Sequence, residues 1–214
     1  MLTNIADLRE DYRLKSLDFT DAHLHPFPQF ETWFQEAVTA QILEPNAMIL
    51  ATVANGKPSA RVVLLKGLNT EGFVFFTNYD SRKGRELEEN PHAALCFNWL
   101  DLQRQVRIEG IVEKIAGADS DAYFNSRPFG SRIGAWASPQ SQIIANRTVL
   151  EENLAEYTQK YGDTEGVPRP PHWGGYVVIP HLIEFWQGRS SRLHDRICYT
   201  KTKNNDWEKV RLAP

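Results

Sequence analysis

Hydrophobic residues recur at two different spacings along this chain. Between residues 30 and 42 they follow a helical period, with Trp33, Phe34, Ala37 and Val38 on one stripe. From residue 47 onward the apolar runs are short, rich in β-branched and aromatic residues, and separated by turn signals. This pattern predicts strands at residues 47–53, 59–66, 72–77, 92–100, 103–115, 174–179, 182–186, 192–200 and 207–212.

Turn and capping residues set the connections between these strands. Asn55-Gly56 predicts a hairpin, and Ser81 is placed to cap a short helix over residues 82–89. Further helices are predicted at 119–126, where Arg127-Pro128 stops the helix, and from Pro139 or Gln140 to about Tyr161. Mostly antiparallel strands with a few interspersed helices indicate a mainly β fold with helical additions, in the form of a β-barrel.

Composition narrows the possible function classes. The 214 residues are 42% hydrophobic and 11% aromatic, which suits a packed globular core. A formal net charge of -3 gives no general attraction to nucleic acid or to an anionic membrane. The sequence shows neither a signal peptide nor a membrane span. We therefore expect a soluble, cytoplasmic protein that binds neither nucleic acid nor a membrane.

A metal site is not expected. The 2 cysteines are too few for a disulfide framework or a four-cysteine zinc site. His23 and His25 could share a face as ligands, but no Cys or His pair follows at suitable spacing. Surface or capping roles suit both histidines better.

Any anion site must come from local clusters of donors, and the predicted helix start at Ser81 is one of them. Arg82 and Lys83 follow the capping serine in the first turn. Cations are unfavourable there unless an anion is present, because the helix dipole is positive at that end. Amides, dipole and side chains together predict a phosphate site, and an ordinary surface turn is the alternative.

Two strands carry polar side chains that a ligand could use. Arg61 and Lys66 stand at the ends of an apolar strand, where strict alternation puts them on opposite faces. The two side chains could therefore bind one ligand only if the strand is bulged or if one side chain reaches around from the strand end. The alternative is a core strand with solvated ends. Gln103, Gln105 and Arg107 share a face of a later strand, where an amide can bind a heterocycle edge. An exposed barrel face would show the same pattern.

A third set of donors follows at intervals of four residues. Tyr123, Arg127 and Ser131 are suitable donors for a phosphate monoester. Pro128 and Gly130 oppose a continuous helix, so we expect these side chains to meet only if the intervening loop folds back over a ligand.

The last cluster lies near the C-terminus. If the chain is extended there, Arg192, His194 and Arg196 share one face, and Leu193 and Asp195 point the other way. Two permanent cations would then flank a group that titrates near neutrality. Such a face requires an anion or a carboxylate to neutralise its positive charge. The alternative interpretation is a solvated edge strand.

Taken in order, these segments resemble the pyridoxine/pyridoxamine 5'-phosphate oxidase family over nearly the whole chain. The motifs that carry the resemblance are Arg61-Val-Val-Leu-Leu-Lys66, Phe76-Thr-Asn-Tyr-Asp-Ser-Arg-Lys83, Arg104-Gln-Val-Arg107, Tyr123-Phe-Asn-Ser-Arg-Pro128, Ala137-Ser-Pro-Gln-Ser141, Phe185-Trp-Gln-Gly188, Arg192-Leu-His-Asp-Arg196 and the terminal Arg-Leu-Ala-Pro214. The resemblance implies an FMN-binding split β-barrel that works as a homodimer with FMN at the subunit interface. Residues 1–30 would be a segment that closes on substrate, and residues 31–214 a single barrel domain.

The resemblance also implies roles for individual residues. The implied FMN-binding residues are Arg61, Val62, Val63, Leu64, Leu65, Lys66, Phe76, Thr77, Arg82, Lys83, Gln105, Gln140, Ser141, Trp186 and Arg196, with Gln140 and Ser141 acting from the other subunit. The implied substrate-binding residues are Arg9, Glu10, Asp11, Tyr12, Lys66, Tyr123, Arg127, Ser131, Arg192, Leu193 and His194. Arg192 and His194 are the implied catalytic residues. Phe76 is a departure, because family members can carry a tyrosine there, and only a backbone contact with FMN would survive.

The implied reaction is oxidation at the 4' carbon of pyridoxine 5'-phosphate or pyridoxamine 5'-phosphate to give pyridoxal 5'-phosphate. FMN would accept a hydride, and O2 would reoxidise it to give H2O2, with ammonia released from the amine substrate. Arg192 and His194 would orient the 4' substituent, with His194 able to accept a proton. One alternative is another split-barrel flavin reductase, which has no need for Tyr123, Arg127 or the pair Arg192 and His194. The other is a non-catalytic protein that binds FMN or pyridoxal phosphate.

Overall fold

The computed structural model describes residues 5–8, 10–162 and 166–214. The chain divides into two compact units. The terminal unit contains the chain up to Ile49 together with residues 94–109 and 180–214, and the central unit contains residues 50–93 and 110–179.

The described residues form a mainly antiparallel sheet with five α-helices. The helices are α1 (Pro26–Thr39), α2 (Arg82–Glu89), α3 (Gly117–Ser126), α4 (Phe129–Ala137) and α5 (Thr148–Tyr161). The strands are β1 (Ala47–Ala54), β2 (Lys57–Leu64), β3 (Gly67–Leu68), β4 (Phe73–Asn78), β5 (His92–Trp99), β6 (Arg104–Lys114), β7 (Trp173–Gln187), β8 (Asp195–Lys201) and β9 (Trp207–Leu212). Their order is β2-β1-β5-β6-β7-β4-β3, with β8 paired to β7 and β9 to β8. This architecture confirms the predicted mainly β class with helical additions.

The first hairpin and the short helix after β4 are confirmed. Asn55 and Gly56 have φ values of 50° and 70°, the left-handed conformation that a two-residue hairpin turn requires. Ser81 caps α2, because its hydroxyl accepts a hydrogen bond from the Gly84 amide at 3.3 Å. A Cβ at position 84 would overlap the carbonyl oxygen of Tyr79, so only glycine allows α2 to begin this close to β4.

Proline was the main source of error in the predicted helices. Helix α1 begins at Pro26 rather than at Phe30, because proline is tolerated in the first turn of a helix. Pro128 stops α3 as predicted, but it is also the residue before α4, which the sequence did not predict. The prediction of a helix from Pro139 or Gln140 was wrong, since α5 begins only at Thr148.

The C-terminal strands also differ from the prediction. Strand β7 is continuous through Pro180, where two strands were predicted. Its residues 173–178 pair with β4 and its residues 182–187 pair with β8, so the missing proline N–H falls between these two ladders. Strand β8 begins at Asp195 rather than at Arg192, because residues 190–192 form a 3-10 turn.

Each unit has its own aromatic core. In the terminal unit, Phe30 packs on Phe97 with ring centroids 5.0 Å apart, and Trp33 packs edge-on against Phe185 at 5.3 Å. In the central unit, Phe124, Ile133, Val167 and Trp173 form a buried cluster. No helix within the described residues has both the length and the apolar character needed to cross a membrane.

Candidate active site

A cavity of about 490 Å³ opens in the central unit, which is within the usual range for small-ligand sites. It collects most of the donors predicted for FMN and for the substrate phosphate. The predicted residues that line it are Val62, Val63, Leu64, Lys66, Phe76, Thr77, Lys83, Tyr123, Arg127, Ser131 and Gln140. Asn78, Ser138 and Trp173 also line it, together with two small residues of α4.

Lys83 is the cation that α2 contributes to this cavity. Its Nζ donates to Thr77 Oγ1 and to Gln140 Oε1, both at 3.0 Å. Burial lowers the pKa of Lys83, and repulsion from Arg61 lowers it further. The ammonium group is therefore held by neutral oxygens in a partly desolvated place, where an anion would restore its normal pKa.

Arg61 and Arg82 do not line the cavity, because both bind a buried carboxylate. Glu86 is 7% exposed and accepts from Arg61 Nη2 at 2.9 Å and from Arg82 Nε at 2.7 Å. The hydroxyls of Thr52 and Ser59 also donate to it. Burial alone would raise the pKa of Glu86, but these hydrogen bonds lower it to about 2. Glu86 thus holds in place Arg61 and Arg82, two of the residues predicted to bind FMN.

Aromatic rings form one wall of the cavity. Phe76 stacks on Tyr123 with ring centroids 3.9 Å apart, and Tyr123 lies nearly parallel to Trp173. The Arg127 guanidinium carbon lies 4.6 Å from the centroid of the Trp173 ring. Burial lowers the pKa of Arg127, and its Nη1 is buried without a hydrogen-bond partner among the described residues. Such an orphaned donor in a cavity is a site where an anion would bind.

Tyr123, Arg127 and Ser131 line one cavity, and helix α4 replaces most of the loop that was expected between Arg127 and Ser131. Tyr123 lies on α3, Arg127 at the break between the helices, and Ser131 in the first turn of α4. The turn of the chain at Pro128, between two helices, brings the three side chains to one cavity.

A second group of predicted residues lies in the terminal unit. His194 lies 4.5 Å from Trp186, and Tyr12 contacts both rings at 5.9 Å between centroids. Tyr12 also packs on Gly188, where a Cβ would lie 2.7 Å from the phenol ring. Glu10, Asp11, Tyr12, Arg192 and His194 line a cavity of about 510 Å³ together with Leu8, Arg189 and Ser191.

The hydrogen bonding of His194 defines its tautomer. The Arg189 amide donates to His194 Nδ1 at 3.1 Å, so the neutral ring carries its proton on Nε2. Burial lowers the pKa of His194, and repulsion from Arg192 adds to this, which keeps the ring neutral near pH 7. In this state Nε2 is a donor, which suits an orienting role.

The predicted cationic face at residues 192–196 was wrong in its geometry. Ser191 and Arg192 have φ values of 57° and 62°, an unusual left-handed pair for residues other than glycine. The chain is therefore turned rather than extended before Asp195, and alternation does not apply to Arg192 and His194. Leu193 is 70% exposed.

Arg196 binds a buried carboxylate. Its Nε and Nη2 donate to the two oxygens of Glu184 at 2.8 Å and 3.0 Å, and its Nη1 donates to the Ala213 carbonyl at 2.8 Å. Arg107 also pairs with Glu184, which is 3% exposed. Burial would raise the pKa of Glu184, but the hydrogen bonds from Arg196 and Arg107 outweigh it and lower the pKa.

The remaining predicted residues have no role that this geometry defines. Leu65 is buried, Ser141 is exposed with a φ of 68°, and Gln105 is half-buried on β6. Arg9 lies outside the described residues.

The sequence reasoning missed Trp173, Glu86 and Glu184. An acid within the apolar strand segment around Glu184 was a usable signal, because a buried carboxylate needs cationic partners. Glu86 lies on the buried side of the short helix α2, but no sequence pattern pointed to its partners. No sequence pattern indicated that Trp173 would lie against Arg127, because this contact joins distant segments.

Comparison with known proteins identifies the family. Residues 34–161 match a family model described as pyridoxamine 5'-phosphate oxidase, and residues 173–214 match the pyridoxine 5'-phosphate oxidase C-terminal dimerisation region. The chain belongs to the pyridoxamine 5'-phosphate oxidase family. It is 58% identical over 215 residues to the pyridoxine/pyridoxamine 5'-phosphate oxidase of Paraburkholderia phytofirmans, and 59% identical to that of a Cyanothece species. Both alignments cover 100% of each chain.

Two solved structures share the fold of this chain. PhzG from Burkholderia lata, in complex with tetrahydrophenazine-1-carboxylic acid, matches with a TM-score of 0.88 and 30% identity, over 96% of this chain and 100% of that one. A pyridoxamine 5'-phosphate oxidase-related, FMN-binding protein from Nostoc punctiforme matches with a TM-score of 0.72 and 17% identity, over 90% of this chain and 100% of that one. The second likeness confirms the predicted split-barrel fold.

Proposed function

We propose that this protein oxidises pyridoxine 5'-phosphate and pyridoxamine 5'-phosphate to pyridoxal 5'-phosphate, with FMN as cofactor and O2 as final electron acceptor. The observation that carries the proposal is the central-unit cavity, where a buried arginine donor with no partner in the described part of the chain lies among a phenol, a hydroxyl and a lysine. The full-length relatives at 58% and 59% identity bear the name of this activity.

The residues around Lys83 fit the phosphate of FMN. Lys83 hydrogen-bonds only to neutral oxygens in the described part of the chain, and it follows the capped start of α2. A phosphate monoester carries about -1.5 to -2 charges at neutral pH, and would therefore relieve the depressed pKa of this lysine. Thr77 would complete the contacts, together with Gln140, which was expected to act from the other subunit but hydrogen-bonds to Lys83 of its own chain. FMN, when bound, would supply the hydride acceptor for the reaction.

Tyr123, Arg127, Ser131 and Lys66 fit the phosphate of the substrate. Three of these side chains are donors that α3, α4 and their junction hold in one cavity, and Lys66 reaches it from beyond the end of β2. Because Arg127 is desolvated, each hydrogen bond it donates to an anion is strong. The phosphate would anchor the substrate and leave its ring to be oriented.

The residues of the terminal unit have roles that rest on the family resemblance. Gln105, Trp186 and Arg196 would contact the flavin, and Arg192 and His194 would orient the substituent on the 4' carbon. The Nε2 donor of His194 supports this orienting role. Tyr12, which packs on Trp186 and His194, would help to close the site. The match to a dimerisation region supports a homodimer, and we propose that FMN lies at the subunit interface.

Peroxide release tests the function. We expect the FMN-loaded protein to form one H2O2 for each pyridoxal 5'-phosphate produced from either substrate, with ammonia released only from pyridoxamine 5'-phosphate. A yellow protein that forms no peroxide with either phosphate would instead indicate a binding protein or an oxidase of another substrate. A colourless protein that cannot be reconstituted with FMN would contradict the flavoprotein assignment.

A further inference from the structure

Arg127 is held differently from Arg61 and Arg82, the two arginines of the central unit that were predicted to bind FMN. Arg61 and Arg82 both bind Glu86. Arg127 forms no ion pair with any carboxylate within residues 5–8, 10–162 and 166–214, and instead lies over the rings of Trp173 and Phe124 at 4.6 Å and 5.6 Å. The guanidinium is thus supported on its face.

The mode of support decides what an arginine can still bind. A carboxylate partner uses N–H donors at the edge of the guanidinium and cancels its charge. An aromatic face attracts the cation through the ring quadrupole and leaves the in-plane donors available. This is consistent with the buried Nη1 of Arg127, which has no partner among the described residues.

Trp173 is itself fixed by its surroundings. It is 6% exposed and belongs to the buried cluster of the central unit. Its carbonyl accepts from Arg169 Nη1 at 2.6 Å, and its ring lies within 12° of parallel to Phe76 at 5.5 Å between centroids. A ring locked in this way presents a rigid surface on which the guanidinium can lie flat.

We propose that Trp173 is a positioning residue for the substrate phosphate, because its indole face holds the Arg127 guanidinium while leaving the arginine donors to the anion. This inference rests on the proposed function, in which Arg127 binds the phosphate of pyridoxine 5'-phosphate. Trp173 lines the same cavity, but it acts through Arg127 rather than by donating to the phosphate.

Two substitutions at this position and one matched control test the proposal. Trp173→Leu removes the aromatic face, and Trp173→Phe keeps a smaller one. Trp136→Leu is the control, because Trp136 lies in the same unit and packs on Tyr157 and Tyr161 without lining this cavity. For Trp173→Leu we expect KM for pyridoxine 5'-phosphate to rise about tenfold or more, with kcat changed much less. Trp173→Phe should recover most of the loss, and Trp136→Leu should leave KM unchanged.

A cycle with Arg127→Gln separates positioning from general packing. If Trp173 acts through the arginine, Trp173→Leu should raise KM in the wild-type background and have no further effect when Arg127 is already replaced. FMN affinity, measured by fluorescence titration of the apoprotein, should be the same in Trp173→Phe as in the wild type. Because Trp173→Phe keeps most of the buried volume, it serves if Trp173→Leu does not fold.

Three outcomes would overturn the inference while leaving the proposed function intact. The first is that the KM effect of replacing Trp173 adds to that of Arg127→Gln. The second is that replacing Trp173 weakens FMN binding as much as it raises KM, and the third is that Trp136→Leu raises KM as much as Trp173→Leu does. By contrast, a wild-type protein that neither binds nor oxidises the phosphate substrates would refute the function itself.

Discussion

Arg127 in the central unit and Arg196 in the terminal unit are supported in opposite ways. Arg196 directs three N–H groups to Glu184 and Ala213, which leaves two of the five on a guanidinium. Arg127 lies on aromatic faces and keeps a buried Nη1 without a partner among the described residues. In the first arrangement, the carboxylate fixes the direction of the guanidinium and offsets its positive charge, which suits a contact with a neutral ring. The second keeps the charge, which suits a phosphate.

The largest expected effect comes from removing the positive charge of Arg127. Arg127→Gln should lower kcat/KM for pyridoxine 5'-phosphate by about 10²–10³-fold, because a desolvated charge pair with the phosphate is lost. Steady-state peroxide formation measures it. Arg85→Gln is the control, since Arg85 is an exposed arginine on α2 that bonds the Asp80 carbonyl. An equal loss in both variants would show that overall charge, and not the cavity, is responsible.

His194→Ala should reduce turnover about 10²-fold and affect FMN retention much less. In the wild type, activity should fall as the pH drops below a value under 6.5, because protonation at Nδ1 breaks the bond from the Arg189 amide. The pH profile of kcat and the flavin content of purified protein measure the two effects. Unchanged turnover at saturating substrate would remove His194 from the reaction.

Glu184→Gln tests the carboxylate-held arginine. Replacing one partner of a buried ion pair costs about 3 kcal/mol of unfolding free energy. A glutamine offers one acceptor oxygen where the carboxylate offers two, so it cannot reproduce the paired hydrogen bonds to Nε and Nη2. Arg196 should therefore lose its orientation, and FMN affinity should fall about tenfold. Urea unfolding and FMN titration measure these changes. Glu208→Gln, at an exposed position of β9, is the control, and a Glu184→Gln protein that matches it would show that Glu184 does not hold Arg196 in place.

Phe76→Tyr should have the smallest effect. Phe76 is stacked 3.9 Å from Tyr123, so the added hydroxyl meets a packed wall and gains at most one hydrogen bond. We expect FMN affinity to change by less than about tenfold, the value of a single net hydrogen bond. Apoprotein titration checks this, and a larger gain would mean that the hydroxyl reaches FMN directly.

Local rules predicted much of the fold and part of the site. The Asn55-Gly56 turn and the Ser81 cap depend on residues adjacent in sequence, so both were correct. Pro128 was ambiguous, because the same residue that stops α3 precedes α4. The turn at Ser191 and Arg192 could not be predicted, since nothing in those residue types demands a left-handed backbone.

The contacts that fix the site residues depend on long-range packing. The donors Lys83, Tyr123 and Arg127 were identified from their residue types and spacing. The aromatic support of Arg127 was not, because Trp173 lies 46 positions away from it in the sequence. Residue type therefore predicted which groups could bind an anion, and tertiary structure decided which of them kept their charge available.

Equilibrium binding of the product tests the central claim most directly. The FMN-loaded wild-type protein and Arg127→Gln should each be titrated with pyridoxal 5'-phosphate and with unphosphorylated pyridoxal. The wild type should bind the phosphate ester at least about 100-fold more tightly than pyridoxal, and Arg127→Gln should lose most of that difference while its affinity for pyridoxal stays the same. Equal affinities of the wild type for the two compounds, or an equal loss for both in the variant, would contradict the assignment of Arg127 to the phosphate.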